Sequence, residues 1–177
     1  AALVDVPSVS HEERPLADTL EQALRLIPGV EVLRHENSLV ARTQRGLPQR
    51  VILAGHIDTV PIADNVPCSR GVNDQGEDTL FGCGTVDMKS GLAVYLAVFA
   101  RLANDPALAY DLTLVCYEGE EVAARFNGLG LIHDAHPDWL VGDVALLGEP
   151  SGAIIEAGCQ GSIRLRVTAH GVRAHSA

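Results

Sequence analysis

The chain has 177 residues, 47% hydrophobic and 20% charged, with a formal net charge of −10. That length and mix suit one globular domain with a sizeable core, and the acidic balance argues against a nucleic-acid surface, which needs clustered Lys and Arg. No run of about 18 apolar residues or basic, apolar, small-residue leader pattern is present, so no membrane contact and a soluble, cytoplasmic setting are expected.

The opening ALVDVPSVS reads as the tail of a helix. Ser10 with Glu13 forms a capping-box pattern, and Leu16, Leu20, Ala23, Leu24 and Ile27 recur at helical spacing until Pro28-Gly29 ends them. Val30–Leu33 and Ser38–Arg42 predict paired strands across a polar His35-Glu36-Asn37 turn, and Arg50–Ala54 a continuous apolar strand of the buried kind. Asp64–Asp78, rich in turn formers, reads as an excursion or hairpin arm, followed by a short strand at Thr79–Gly82. A long apolar helix is predicted from Met88 to about Asn104, turning Leu92, Tyr95, Leu96, Phe99 and Leu102 inward. Leu112–Tyr117 and Asp143–Leu147 predict further buried strands, with a weaker helix between them at Ala124–Ala135. From Ile154 the pattern becomes alternating, with Ile163, Leu165 and Val167 on one face and Arg164, Arg166 and Thr168 on the other, as in a half-buried strand.

Strand and helix alternate, which predicts an α/β fold with a mixed, largely parallel sheet and helices on both faces. Cys68, Cys83, Cys116 and Cys159 are widely spaced, without a C-x-x-C pair to hold a thiolate zinc or form a redox dithiol. A reducing compartment fits that usage.

Several short segments carry metal-site chemistry. His56 and Asp58 directly follow an apolar strand and project to one side of extended chain, so the carboxylate is placed to orient an imidazole ligand. Alone, this H-x-D fits a surface histidine beside an aspartate cap equally well. Asp87 stands at a helix entrance, where it serves either as an N-cap or as a carboxylate bridging two metal ions. Glu120 and Glu121 end a strand, so adjacent acids point different ways: one can ligate while the other stays free as a general base, or both belong to a solvated acidic turn with Glu118. Glu149 lies past a buried strand, where open α/β sheets place their sites. Asp87, Glu121 and Glu149 supply three negative charges toward a metal pair. With N and O ligands and no thiolate, zinc leads, with cobalt or manganese as substitutes.

In order and spacing, GHIDTVP at Gly55–Pro61, GCGTVDMKSG at Gly82–Gly91, the Glu120-Glu121 pair and GEPS at Gly148–Ser151 resemble the co-catalytic zinc metallopeptidases, a family with aminoacylases, acetylornithine deacetylase, glutamate carboxypeptidase and succinyl-diaminopimelate desuccinylase among its members. FNGLG at Phe126–Gly130 and EAGCQGS at Glu156–Ser162 are most similar to the actinobacterial desuccinylases, while related members carry Arg in place of Cys83 and Gly in place of Ser90. The resemblance implies that His56, Asp87 and Glu149 hold one zinc and that Asp87 bridges to a second, also held by Glu121. It makes Asp58 the partner of His56, Glu120 the general base, and the peptide after Asp87 cis. His175, in GVRAHS, matches a lid-domain histidine that stabilises the oxyanion in a neighbouring subunit, and Arg173 is either able to face a substrate carboxylate or one more solvent-exposed arginine.

By the same resemblance, residues 1–160 are the N-terminal part of a catalytic metal-binding domain and 161–177 the start of a lid and dimerisation domain, so both ends read as internal to a longer protein. The second zinc's further histidine has no counterpart here, which implies two zinc ions in the full-length protein, one or none in this chain, and weak or absent activity of this piece. The implied reaction is removal of succinate from N-succinyl-LL-2,6-diaminopimelate, a small anionic N-acyl amino acid, by a homodimer joined through the lid. Another deacylase or dipeptidase, a non-catalytic α/β module with a structural metal, and a plain doubly wound domain whose acids are caps stay open as alternatives.

Overall fold

The computed structural model describes residues 1–158, 163, 165–168 and 170–171. In chain order, a short helix α1 (Ala2–Asp5) leads to α2 (Arg14–Arg25), the strands β1 (Val30–His35), β2 (Ser38–Thr43) and β3 (Arg50–His56), and a hairpin of β4 (Ser69–Val72) and β5 (Asp78–Phe81). Then come α3 (Lys89–Leu102), β6 (Asp111–Tyr117), a 3-10 turn at Ala124–Phe126, α4 (Gly128–Ala135), a second 3-10 turn at Pro137–Leu140, and β7 (Val144–Leu147).

The main sheet runs β1-β2-β6-β3-β7, with β4 and β5 forming a separate ribbon. β1 and β2 pair antiparallel, as do β2 and β6, whereas β6, β3 and β7 are parallel. Parallel neighbours require a crossover. The chain makes one through α3 and a second through α4, so the carboxyl ends of β3, β6 and β7 share one edge.

β6 is central, and all seven of its residues are buried. One face packs Leu39, Ala41, Leu53, Leu112 and Leu114 against Leu16, Leu20 and Leu24 of α2 and Leu92 and Phe99 of α3. The other packs Val40, Ile52, Ala54, Val115 and Tyr117 against Ile132 of α4, with Trp139 and Leu140 alongside. The mixed sheet covered on both faces is the architecture expected from the sequence.

Four expectations need correction. The Ser10-Glu13 capping box does not form: α2 starts at Arg14 without a side-chain cap, Glu13 accepts the His11 N–H at 2.8 Å, and Ala23 is exposed. Ser10 donates instead to the carboxylate of Asp58 at 2.8 Å, a stronger acceptor than a neutral group. β7 is not buried: Val144, Leu146 and Leu147 are 51%, 45% and 54% exposed, because among the described residues β7 pairs only with β3. The helix expected over Ala124–Ala135 is interrupted at Asn127, whose side chain accepts from Leu129 N and caps α4. Finally, the alternation after Ile154 forms no strand among the described residues, where Ile163, Leu165 and Val167 are exposed. Alternation sets which face would be apolar, but a strand also needs a partner for its backbone.

No helix among the described residues is long and apolar enough to cross a membrane.

Candidate metal centre

The shared edge of the parallel strands collects the chemistry-bearing side chains. His56 closes β3 opposite Tyr117, the last residue of β6. Glu120 and Glu121 lie in the loop leaving β6, and Glu149 follows β7, whose continuation is fixed by Gly148 N donating to Ala54 O at 3.0 Å. Asp87 arrives from the hairpin side just ahead of α3, and its peptide bond to Met88 is cis.

Two glycines permit this convergence. A Cβ on Gly91, in the first turn of α3, would run into the carbonyl oxygen of Gly148, so its absence lets the helix entrance approach the loop that carries Glu149. Gly119 turns the β6 loop at φ +68, with the Phe126 carbonyl where a side chain would stand.

His56, Asp87 and Glu149 each offer a ligand atom within 4.8 Å of the others. The His56 ring is fully buried, with Nε2 2.9 Å from Asp87 Oδ1. Its Nδ1 lies 3.0 Å from the Asp58 carbonyl oxygen and 3.3 Å from Asp58 Oδ1. A proton on Nδ1 is therefore spoken for, and Nε2 is the nitrogen turned toward the two carboxylates, the orientation a metal-ligating histidine takes. One imidazole nitrogen with two carboxylate oxygens fits a borderline divalent ion such as zinc.

The electrostatics agree with that fit. Burial works against a charged His56, but hydrogen bonds to Asp58 and Asp87, helped by Glu149, raise it from 6.5 to about 9. Burial, with the charges of Asp87, Glu120 and Glu121, raises Glu149 above the ordinary carboxylate range, His56 opposing. Glu121 is raised by burial and by its acidic neighbours. A dication would relieve this crowding of negative charge.

Asp58 differs from the other acids. Burial pushes its carboxyl up, but His56, the Glu120 and Glu121 amides and the Ser10 hydroxyl hold it below the usual range. Its Oδ1 accepts from Glu120 N at 3.0 Å and its Oδ2 from Glu121 N at 3.1 Å. Glu118, which the sequence leaves open as part of a solvated acidic turn, is a clamp: it accepts from Asn37 N and Nδ2, both at 2.8 Å, tying the β1–β2 turn to the site loop.

Of the residues singled out in the sequence, the structure brings His56, Asp87 and Glu149 into one group, with Asp58 behind His56 and Glu120 on the adjoining loop. Glu121 lies outside that tight group, though close enough to feel Asp87. His175 and Arg173 lie outside the described residues. Sequence reasoning missed Ser10, Met88 and Gly91. Met88 is fully buried, and its Sδ accepts from His56 N at 3.2 Å.

The chain is 62% identical to succinyl-diaminopimelate desuccinylase of Corynebacterium glutamicum over 99% of its own length and 47% of that protein's. It is 52% identical to DapE of Mycobacterium tuberculosis over 100% of its length and 48% of the relative's. It thus spans about half the length of the curated relatives it matches. Among solved structures, the M20 family metallo-carboxypeptidase Sso-CP2 of Sulfolobus solfataricus matches with a TM-score of 0.65 at 16% identity, over 83% of this chain and 35% of that one. Aminoacylhistidine dipeptidase of Vibrio alginolyticus matches with a TM-score of 0.60 at 21% identity, over 82% and 31%. These two likenesses concern the fold alone. The sequence profile of peptidase family M20/M25/M40 matches residues 52–168, and the chain belongs to that family.

Proposed function

We propose that this chain supplies the metal-binding part of an amide hydrolase that, at full length, removes succinate from N-succinyl-LL-2,6-diaminopimelate in lysine and cell-wall biosynthesis. The observation that carries the reading is the meeting of His56, Asp87 and Glu149, with Glu120 outside that group but near enough for its charge to act on Glu149. The 62% identity to the Corynebacterium glutamicum desuccinylase supports the choice of substrate. His56, Asp87 and Glu149 would hold one zinc, and Asp87 and Glu121 would contribute to a second in the full-length protein, which acts in the cytoplasm as a homodimer.

When bound, zinc polarises the amide carbonyl and acidifies water toward a pKa of about 7. The chain's own residues do the rest. Asp58 holds the His56 ring in one orientation by accepting Nδ1–H at its carbonyl oxygen, and its carboxylate fixes the backbone from which Glu120 projects. Glu120, free of the ligand set, takes the water proton and returns it to the leaving amine. A purely structural metal site has no use for such a base.

Two experiments test this. Elemental analysis of the full-length form after dialysis against trace zinc should find about two zinc ions per chain and fewer in His56→Ala; no zinc in the full-length parent sinks the metal reading. In the full-length form, Glu120→Gln should keep its metal and lose turnover of N-succinyl-diaminopimelate. Faster hydrolysis of N-acetylornithine or a dipeptide would replace the substrate assignment.

A further inference from the structure

The segment before α2 is stitched along the residues that carry the site. Thr59 N donates to Ser8 O at 2.9 Å and Ser10 N to Thr59 O at 3.1 Å, forming a short parallel bridge at Val9 and Thr59. The Ser8 hydroxyl adds a buried bond to Ile57 O at 2.6 Å. This pairing delivers the Ser10 hydroxyl to Asp58 Oδ2 at 2.8 Å; the Thr59 carbonyl, at 3.5 Å, is the poorer acceptor.

Asp58 is fully buried, and an ionised carboxylate offers about four acceptor positions. Its Oδ1 takes the Glu120 amide and faces His56 Nδ1, and its Oδ2 takes the Glu121 amide and the Ser10 hydroxyl. Three donors thus hold one carboxylate plane and with it the backbone of both site glutamates, while His56 Nδ1 meets the same residue at its carbonyl oxygen, 3.0 Å away, with Oδ1 beside it at 3.3 Å. Without the hydroxyl, each carboxylate oxygen keeps one backbone donor, and the carboxylate is held less firmly. Ser10 caps no helix, since α2 begins beyond it without a side-chain cap. Nor does it stand among the ligand atoms.

We propose that Ser10 is a positioning residue of the metal centre, acting through Asp58 to hold His56 and the Glu120-Glu121 backbone in mutual register. The inference rests on the metal reading given above. It makes Asp58 a junction between the two sides of the site.

The test compares Ser10→Thr with Ser10→Val, which have nearly the same shape and differ in the hydroxyl, and with Ser10→Ala, which removes it without adding volume. Zinc affinity is read by competition with a chromophoric chelator. The amide resonances of Glu120 and Glu121 and the His56 ring signals are read by NMR on metal-free protein. The Val and Ala variants should bind zinc about tenfold more weakly, with the Glu120 and Glu121 amide protons moved upfield, while Thr stays with the parent. Val and Ala signals that superpose on those of the parent, or a Thr variant that behaves like Val, would overturn the proposal. If this chain takes up no zinc, the metal-free resonances still decide the role of Ser10, and metal content of the full-length form decides the metal reading.

Discussion

Replacing Gly91 by alanine sets two effects against each other. At an open helix position the change stabilises by about 1 kcal/mol, because glycine loses more backbone freedom on folding. Gly91 is not open: the new Cβ would overlap the Gly148 carbonyl oxygen and lie 3.1 Å from its carbon. Both are backbone atoms, so relief requires helix and loop to part by roughly 1 Å. Overpacking of this kind costs about 1–3 kcal/mol, which leaves a net loss of up to about 2 kcal/mol. The larger consequence is at the site. Asp87 sits just ahead of α3 and Glu149 directly follows Gly148, so the same displacement separates two members of the group now within 4.8 Å. Metal–ligand distances tolerate only about 0.2 Å, so zinc affinity should fall on the order of tenfold or more. Urea denaturation and chelator competition on parent and variant give both quantities. An alanine variant at least as stable as the parent, with undiminished zinc affinity, would refute the close-packing argument.

Other predictions concern ionisation. In metal-free protein His56 is raised from 6.5 to about 9, so its contribution to stability is complete below pH 6.5 and is lost as pH rises through 9. The loss should reach about 3 kcal/mol between about pH 6 and about pH 10 in urea titrations, and a profile no steeper than that of His56→Ala would contradict it. Zinc affinity should instead rise over the same window, because the metal competes with the proton; calorimetric titrations at several pH values check the sign. Asp111 works the other way. Burial pushes its carboxyl up, but Thr43 Oγ1 at 2.6 Å and the amides of Arg45 and Leu47, both at 3.0 Å, hold it low. Its contribution is present above the unfolded value of about 3.9 and lost as pH falls through the folded value; Asp111→Asn should cost about 1–3 kcal/mol near neutral pH, and unchanged urea midpoints would count against the bonding pattern.

How much was legible in the sequence depended on the range of the interactions. β3, β6 and α3 announce themselves because a central strand or a core helix must be apolar over its own length, and so do the acids placed just past strand ends. β7 has the same apolar composition as its neighbours, yet its exposure is set by what lies beside it, which no local pattern records. Ser10 illustrates the same limit: a serine three residues before a glutamate satisfies the local capping rule, but a carboxylate 48 residues away is the better acceptor. Gly91 gave no signal either, since its value lies in the Gly148 backbone it admits. Glu118 was legible only as an acid in a turn, because its partners, Asn37 and Ser38, come from the far end of another hairpin.

β7 pairs with a single strand among the described residues, and it carries Glu149. The third member of the group is therefore mounted on the part of the sheet with the fewest ties, where local opening costs least. An ion shared by Glu149, His56 and Asp87 acts as a clasp: every excursion of the edge strand must release it, so loading raises the cost of opening by the ion's own binding free energy. Amide exchange in β7 then reports occupancy of the centre, slowing on loading while exchange in β6 stays at the rate of global unfolding.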